Sequence, residues 1–368
     1  MTHGRPAPTL SIVVPTYQES KNVPILFDRI AAALGDEPWE MIVVDDDSPD
    51  GTSNVAFGLA ATDTRLRCLR RVNRSGLAGA VIEGWMSSSA DFVAVIDGDL
   101  QHDESILLTM YQALAEGSGN LVIGTRLRDA SEGTLSPARQ RLSDLGAWFF
   151  RRVAGADVSD PMSGFFMTRR EIVSRLAPRL SPDGFKILVD VILSAGGDLK
   201  IVEIPYAFRK RHAGESKLTP LVGIDFIGLV VHHATAGALP TRFVLFAMIG
   251  AVGLVVHVLA LSAVLHWSRV LTFDSGQLFA TVVAMASNFI LNNEITYRSY
   301  RYRGLGKLAG FAGFVLGCSV GAIANIDVAS WLYKDNQTWW IAGLAGALLS
   351  VVWNYAVSTN VVWRPGRR

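Results

Sequence analysis

Between residues 243 and 361 charge nearly vanishes outside short clusters, and no other feature limits what this chain can fold into so sharply. Four apolar segments stand out there, at 243–265, 278–295, 308–331 and 339–361. Each is long enough, allowing for tilt, to span a hydrocarbon core roughly 30 Å thick. In hydrocarbon every backbone N–H and C=O needs an internal partner, so such segments are read as helices. Buried helices of a soluble domain are the alternative, and four such segments in succession argue against it. Basic residues cluster after the second segment (Arg298, Arg301, Arg303, Lys307) and after the fourth (Arg364, Arg367, Arg368). The loop after the first carries Arg269 against Asp274, and the loop after the third Lys334 beside Asp335. The positive-inside rule then puts both chain ends in the cytoplasm, with Trp331, Trp339, Trp340 and Trp363 as interfacial anchors. Met1 to Pro8 holds no apolar core of signal-peptide length, which agrees with that orientation.

The first 215 or so residues are of another kind, with charges spread throughout. A net charge of +1 gives no case for nucleic acid as a partner. Cys68 and Cys318 fall in different halves, so a disulfide framework is not indicated. The expected organisation is a soluble α/β domain at 1–217, an amphipathic linker at 218–240 lying on the bilayer surface, and a transmembrane domain at 241–368. A fifth span in place of that linker stays open as a reading.

Within the soluble half, apolar strand patterns at 10–15, 41–44, 68–69, 92–96 and 121–123 alternate with helical ones at 23–34 and 106–114. A glycine-containing turn sits at 75–79, ahead of a further helix. Repeated βα units predict a mostly parallel sheet with helices on both faces. Two of the strands end in carboxylates: Asp45, Asp46 and Asp47 on one, Asp97 and Asp99 on the other. Both clusters are expected on one rim, where open α/β sheets collect ligands. Asp47 and Asp50 equally suit a helix N-cap, whereas Asp46 suits the N–H and O–H groups of a base or ribose. Residues two apart on extended backbone point the same way, so Asp97 and Asp99 can share one hard cation. Gly98 between them allows close backbone approach. Such oxygen ligands suit Mg²⁺ or Mn²⁺ holding nucleotide phosphates; an Asp-rich turn is the plainer reading.

Several motifs in order resemble glycosyltransferase family 2 enzymes of the GT-A fold. They are Val14-Pro15-Thr16-Tyr17-Gln18-Glu19, the run from Asp45 to Thr52, and Asp97-Gly98-Asp99-Leu100-Gln101-His102. Asp160-Pro161-Met162-Ser163-Gly164-Phe165-Phe166 and Gly214-Glu215-Ser216-Lys217-Leu218, after Arg209 and Arg211, extend the resemblance to polyprenyl-phosphate (dolichol-phosphate) mannose synthases. It covers about residues 9–220. Gly98 departs from a frequent Ala and Gln18 from a frequent Asn, and the Gln-x-x-Arg-Trp motif of processive synthases is absent. The spans are similar to GtrA-like membrane proteins, notably from Asn288 to Tyr297.

The resemblance implies an inverting, metal-dependent transfer of a monosaccharide to a polyprenyl or dolichyl monophosphate. The donor it implies is GDP-mannose; UDP-glucose with undecaprenyl phosphate is the alternative. Asp97, Asp99 and Gln101 would hold Mg²⁺ or Mn²⁺. Pro15, Tyr17, Glu19, Val44, Asp46, Gly98, Lys186 and Arg211 would complete the donor site. Arg126, Arg139 and Ser143 would hold the acceptor phosphate, and Arg211 would close over it. Two rivals belong to other classes: a lipid-linked-sugar transporter regulated by nucleotide, and an inert membrane scaffold. A phosphate monoester is largely dianionic near neutrality, with a second pKa near about 6, so the acceptor needs aiming cations rather than a protein base. Asn288, Asn292, Asn325, Asp327 and Asn354 fall in or near the bilayer, where interhelical hydrogen bonding is the default expectation for asparagines.

Overall fold

The structure is a computed structural model describing residues 7–72, 74, 76–127, 155, 158–182, 186–209, 221–235, 238–267, 273–334 and 339–364. It divides into two compact units, Met1–Ala234 and Thr235–Arg368.

The first unit is built on one seven-stranded sheet: β1 (Leu10–Thr16), β2 (Trp39–Asp45), β3 (Leu66–Arg70), β4 (Phe92–Val95), β5 (Leu121–Arg126), β6 (Phe166–Arg169) and β7 (Ile201–Tyr206). Their order is β3-β2-β1-β4-β6-β5-β7. Only β6 runs antiparallel, against β4 and β5, so the other strands all end on one rim. Alternation along the strands separates two cores. Val13, Val93 and Val95 face a cluster holding Trp85 and Phe166. Ile12, Val14 and Ala94 face the other, with Leu26, Ile30 and Trp39.

Neither β6 nor β7 stands out in the sequence. β6 is only four residues long, and β7 is a half-buried edge strand carrying Glu203 and Pro205. An edge is where a strand tolerates proline. The glycine-containing turn is shorter than its sequence suggests, since a helix begins at Leu77 behind Gly76. The unit closes with helix Leu221–Ala234, whose Leu229 and Val230 are buried in the first core and whose His233 Nε2 lies 2.8 Å from Asp190 Oδ1.

The second unit contains helices Thr241–Trp267, Phe273–Leu291, Gly306–Lys334 and Trp339–Val357. Among the described residues, three stretches are long and apolar enough to cross a membrane: Thr241–Val264, Ser275–Thr296 and Gly306–Ala324. The described apolar stretch of the last helix is shorter, Leu348–Val362. The second and fourth helices finish alike, in wide π turns at Asn292–Thr296 and Ser358–Val362 followed by Tyr297 and Trp363. Those two rings stack with centroids 4.4 Å apart. Tyr297 Oη and Thr359 Oγ1 lie 2.8 Å apart, and Trp363 Nε1 donates to Asn293 Oδ1 at 3.1 Å. The ends of these helices therefore share one side of the bundle, where Arg242 also lies over the Tyr300 ring.

Asn288 and Asn354 repeat one device. Each fills a notch left by a glycine of the preceding helix, where a Cβ on Gly253 or Gly321 would come within 2.1 or 2.3 Å of the amide oxygen. The expected interhelical hydrogen bonds give way to close packing at these two positions, whose Oδ1 atoms have no partner among the described residues. Asn292 bonds within its own helix, to the Asn288 carbonyl.

Candidate active site at the sheet rim

The ends of β1, β2 and β4 bring the two acidic clusters to the same rim, but into different surroundings. At β2 the carboxylates are taken. Asp45 is fully buried and accepts from Ser48 N at 3.0 Å, Ser48 Oγ at 2.5 Å, Thr16 Oγ1 at 3.2 Å and Ser53 Oγ. Asp50 accepts from Thr52 N at 3.2 Å, Thr52 Oγ1 at 2.6 Å and Ser20 N at 3.1 Å. It thereby serves the start of helix Thr52–Ala60, the structural role its position allowed. Asp47, at φ +53°, pairs with Arg70. Asp46 is clamped between the buried Arg71 guanidinium and Gly76 N, the latter at 2.8 Å. Burial raises its pKa, opposed by the Gly76 amide and the Arg71 charge.

At β4 the arrangement is open. The Asp97 side chain is 35% exposed, and its Oδ2 lies 3.3 Å from His102 Nε2. Asp99 is buried, with its Oδ1 accepting from Gln101 N at 3.2 Å. Between Asp99 and Gln101, Leu100 holds φ +63°, a strained conformation for a side chain of that size, fixed by its burial. Gln101 Nε2 donates to Arg209 O at 3.2 Å, which aims the amide. Arg209 in turn grips Asp103 at 2.6 Å and Glu104 at 2.5 Å, pinning the loop after β4 to the strand end of β7. Gly164 presses directly on the carboxylate: a Cβ there would stand 2.2 Å from Asp97 Oδ2. Any other residue would fill the space in front of Asp97.

These donors fit a divalent cation of the hard, oxygen-seeking kind. Among the described residues no group of three or more His, Cys, Asp or Glu side chains is placed to hold a metal. Two carboxylates and an amide, with the rest supplied by substrate phosphates and water, is the way Mg²⁺ is commonly held. The solvent-exposed part of the Asp97 side chain is where such an ion would reach it.

Arg126 ends β5 beside this site. Its Nε and one Nη donate to Asp160 at 2.7 and 2.9 Å, and its guanidinium lies over the Phe208 ring at 5.4 Å. The hydrogen bond to Asp160 raises its pKa, and the charge of Asp97 contributes. Tyr17 is 44% exposed, Pro15 and Glu19 are half-buried, and Glu19 Oε2 accepts from Asn22 Nδ2 at 2.6 Å. Lys186 stands immediately before helix Ile187–Ala195, with no side-chain hydrogen bond to its first turn. Val44 is fully buried in the core, so only its backbone can reach a ligand. Gly98 is buried as well, against Thr16 Cγ2, where an added Cβ would sit at 3.3 Å. Its smallness lets β4 close on β1, so the close approach is by protein. Arg139, Ser143, Arg211 and the 214–218 motif lie outside the described residues.

The sequence reading missed His102, Tyr206, Asp160, Arg71 and Gly164 as parts of the site. His102 and Asp160 stand inside motifs already quoted, whereas Tyr206 and Arg71 carry no local signal.

Comparison with known proteins divides the chain as its fold does. Residues 11–177 match the family described as glycosyl transferase family 2, and residues 245–363 match the GtrA/DPMS transmembrane domain. A dolichol-phosphate mannosyltransferase of Pyrococcus furiosus is 30% identical over 96% of this chain and 99% of its own length. The Saccharomyces cerevisiae dolichol-phosphate mannosyltransferase is 30% identical over 59% of this chain and 84% of that protein. An undecaprenyl-phosphate mannosyltransferase of Micrococcus luteus is 29% identical over 63% and 94% respectively. Among solved structures, glucosyl-3-phosphoglycerate synthase of Mycobacterium tuberculosis superposes with a TM-score of 0.49 at 20% identity, over 62% of this chain and 80% of that one.

Proposed function

Since the chain belongs to the dolichol-phosphate mannosyltransferase family, with a glycosyl transferase family 2 domain followed by a GtrA/DPMS transmembrane domain, we propose that it transfers mannose from GDP-mannose to a polyprenyl monophosphate at the cytoplasmic membrane face. The carrying observation is the exposed Asp97 beside the buried Asp99 at the end of β4, with Arg126 on the same rim. Relatives named for mannosyl transfer to either dolichol or undecaprenyl phosphate favour mannose whatever the lipid.

In this reading Asp97, Asp99 and Gln101 would hold Mg²⁺ or Mn²⁺ for the donor. When bound, the cation supplies Lewis-acid neutralisation of the charge on the departing nucleotide, worth several kcal/mol. Tyr17, Glu19, Asp46 and Lys186, with the backbone of Pro15, Val44 and Gly98, form the nucleoside side; Asp46 accepts from the base or ribose. Asp160 takes Nε and one Nη of Arg126, and the remaining Nη aims the acceptor phosphate with Arg139 and Ser143. The dianionic acceptor attacks sugar C1 as the C1–O bond to the diphosphate breaks, in one inverting step without a protein base. Arg211 contributes to excluding water, which suppresses donor hydrolysis. The shared end of the second and fourth helices carries Arg298, Arg301, Arg303 and Lys307, which supports a cytoplasmic placement for that side.

The test is transfer of label from GDP-mannose or UDP-glucose to polyprenyl phosphate by the full chain in proteoliposomes, with Mn²⁺, Mg²⁺ or EDTA. Mannosyl lipid formed with either cation and lost in EDTA is the expected result. Glucosyl transfer alone would replace the donor, and transfer undiminished by EDTA would overturn the metal-held diphosphate. Trapping of a covalent glycosyl-enzyme would contradict the single displacement.

A further inference from the structure

His102 directly follows the proposed cation ligands, yet none of the chemistry above uses it. Its ring is 4% exposed, packed among Phe165, Tyr206 and Phe208 at centroid distances of 5.4, 5.7 and 5.6 Å. A polar ring in such a setting needs partners for both nitrogens. Nδ1 lies 2.5 Å from Tyr206 Oη and Nε2 lies 3.3 Å from Asp97 Oδ2. Chemistry selects one tautomer. If Nδ1 carried the proton of a neutral ring, the Nε2 lone pair would face a carboxylate oxygen, acceptor against acceptor. With the proton on Nε2, the ring donates to Asp97 and accepts at Nδ1 from the Tyr206 phenol, so every group is satisfied.

The same oxygen also meets Gly164, whose backbone leaves no room for a Cβ. Asp97 Oδ2 is therefore backed by a hydrogen-bond donor and by the glycine backbone. One oxygen is engaged by His102, and the carboxylate plane is set for the other. Side chains that fix the orientation of metal ligands commonly alter metal affinity by about 10- to 100-fold when removed.

We propose that His102 is a positioning residue, locked by Tyr206 in its Nε2–H form, that orients Asp97 and so sets the affinity of the rim for its divalent cation. The proposal rests on the functional reading above. It extends that site to Tyr206, more than a hundred residues along the chain at the end of β7.

The test is Mn²⁺ binding to the full chain in detergent, followed by the electron paramagnetic resonance signal of free Mn²⁺ with GDP present and without it. Thermal unfolding is recorded beside it in EDTA. His102→Leu should weaken Mn²⁺ binding by about 10- to 100-fold while unfolding in EDTA shifts little. His102→Gln, whose amide can place an N–H near Nε2, should recover most of that loss. Tyr206→Phe should weaken binding by less, and nothing further when added to His102→Leu, since both act through one hydrogen-bond chain. Unchanged Mn²⁺ affinity in both His102→Leu and Tyr206→Phe would overturn the proposal, as would equal losses for the Leu and Gln variants. Should His102→Leu fail to fold, the Tyr206→Phe and His102→Gln comparisons decide alone. Absence of Mn²⁺ binding by the parent protein would instead overturn the metal reading of the whole rim, a separate failure.

Discussion

The two acidic strand ends of the catalytic unit look alike in sequence and differ in every physical respect in the structure. At the end of β2, Asp45 spends its oxygens on Ser48, Ser53 and Thr16, and Asp50 on Ser20 and Thr52. Asp47 has Arg70 and Asp46 has Arg71. At the end of β4, Asp97 is open to solvent on one side and buttressed on the other by His102 and Gly164. Counting carboxylates does not tell these ends apart; their exposure and surroundings do. The β2 cluster ties neighbouring segments of the rim together, while Asp97 at the end of β4 stays exposed beside the proposed cation position.

The sharpest way to break this contrast is to remove one carboxylate from each side. Asp99→Ala should cost at least about a thousandfold in transfer rate, on the order of 4 kcal/mol, with little effect on unfolding. Steady-state transfer assays and thermal melts check both halves. Asp45→Ala should do the opposite. It strands several buried donors, and a loss of about 3 kcal/mol in stability is expected in denaturant titrations, while protein that remains folded still turns over. A third substitution probes the acceptor side. Arg126→Lys keeps the charge but loses the planar fork shared between Asp160 and a phosphate. Its acceptor KM should rise by about tenfold with kcat changed less.

The smallest effect belongs to Asp46. Burial raises its pKa, so its carboxyl takes up a proton at a pH above the ordinary carboxylate range. The ionised form accepts from a base or ribose more strongly than the protonated one. Donor KM should therefore rise by a few-fold as pH falls through that raised value, while Asp46→Asn removes the acid limb. An acid limb identical in the Asn variant would place the titrating group elsewhere. Asp50 has the opposite sign: its pKa is lowered, so the stability it lends is present above the unfolded value and fades as pH drops through the folded one.

Much of this was legible in the sequence, and the reasons for the remainder are physical. The interior strands β1, β2 and β4 are apolar runs buried on both faces, and a run of that kind is visible by itself. β6 and β7 are short or on an edge, and the pairing that makes them strands is long-range. The Asp97/Asp99/Gln101 set was visible because its members share one loop. Tyr206 and Arg71 were not, because each meets its carboxylate or histidine partner only after the chain has folded back. In the membrane half, apolar length announced the spans. The paired π turns and the glycine notches under Asn288 and Asn354 were hidden by that same uniformity.

The central claim, that the end of β4 holds the donor diphosphate, is tested most directly by locating the manganese. A structure of the full chain in nanodiscs with GDP and Mn²⁺ should show the ion roughly 2 Å from carboxylate oxygens of Asp97 and Asp99, with the diphosphate on its far side. Manganese seated at the β2 cluster, or metal and nucleotide away from the rim altogether, would contradict it.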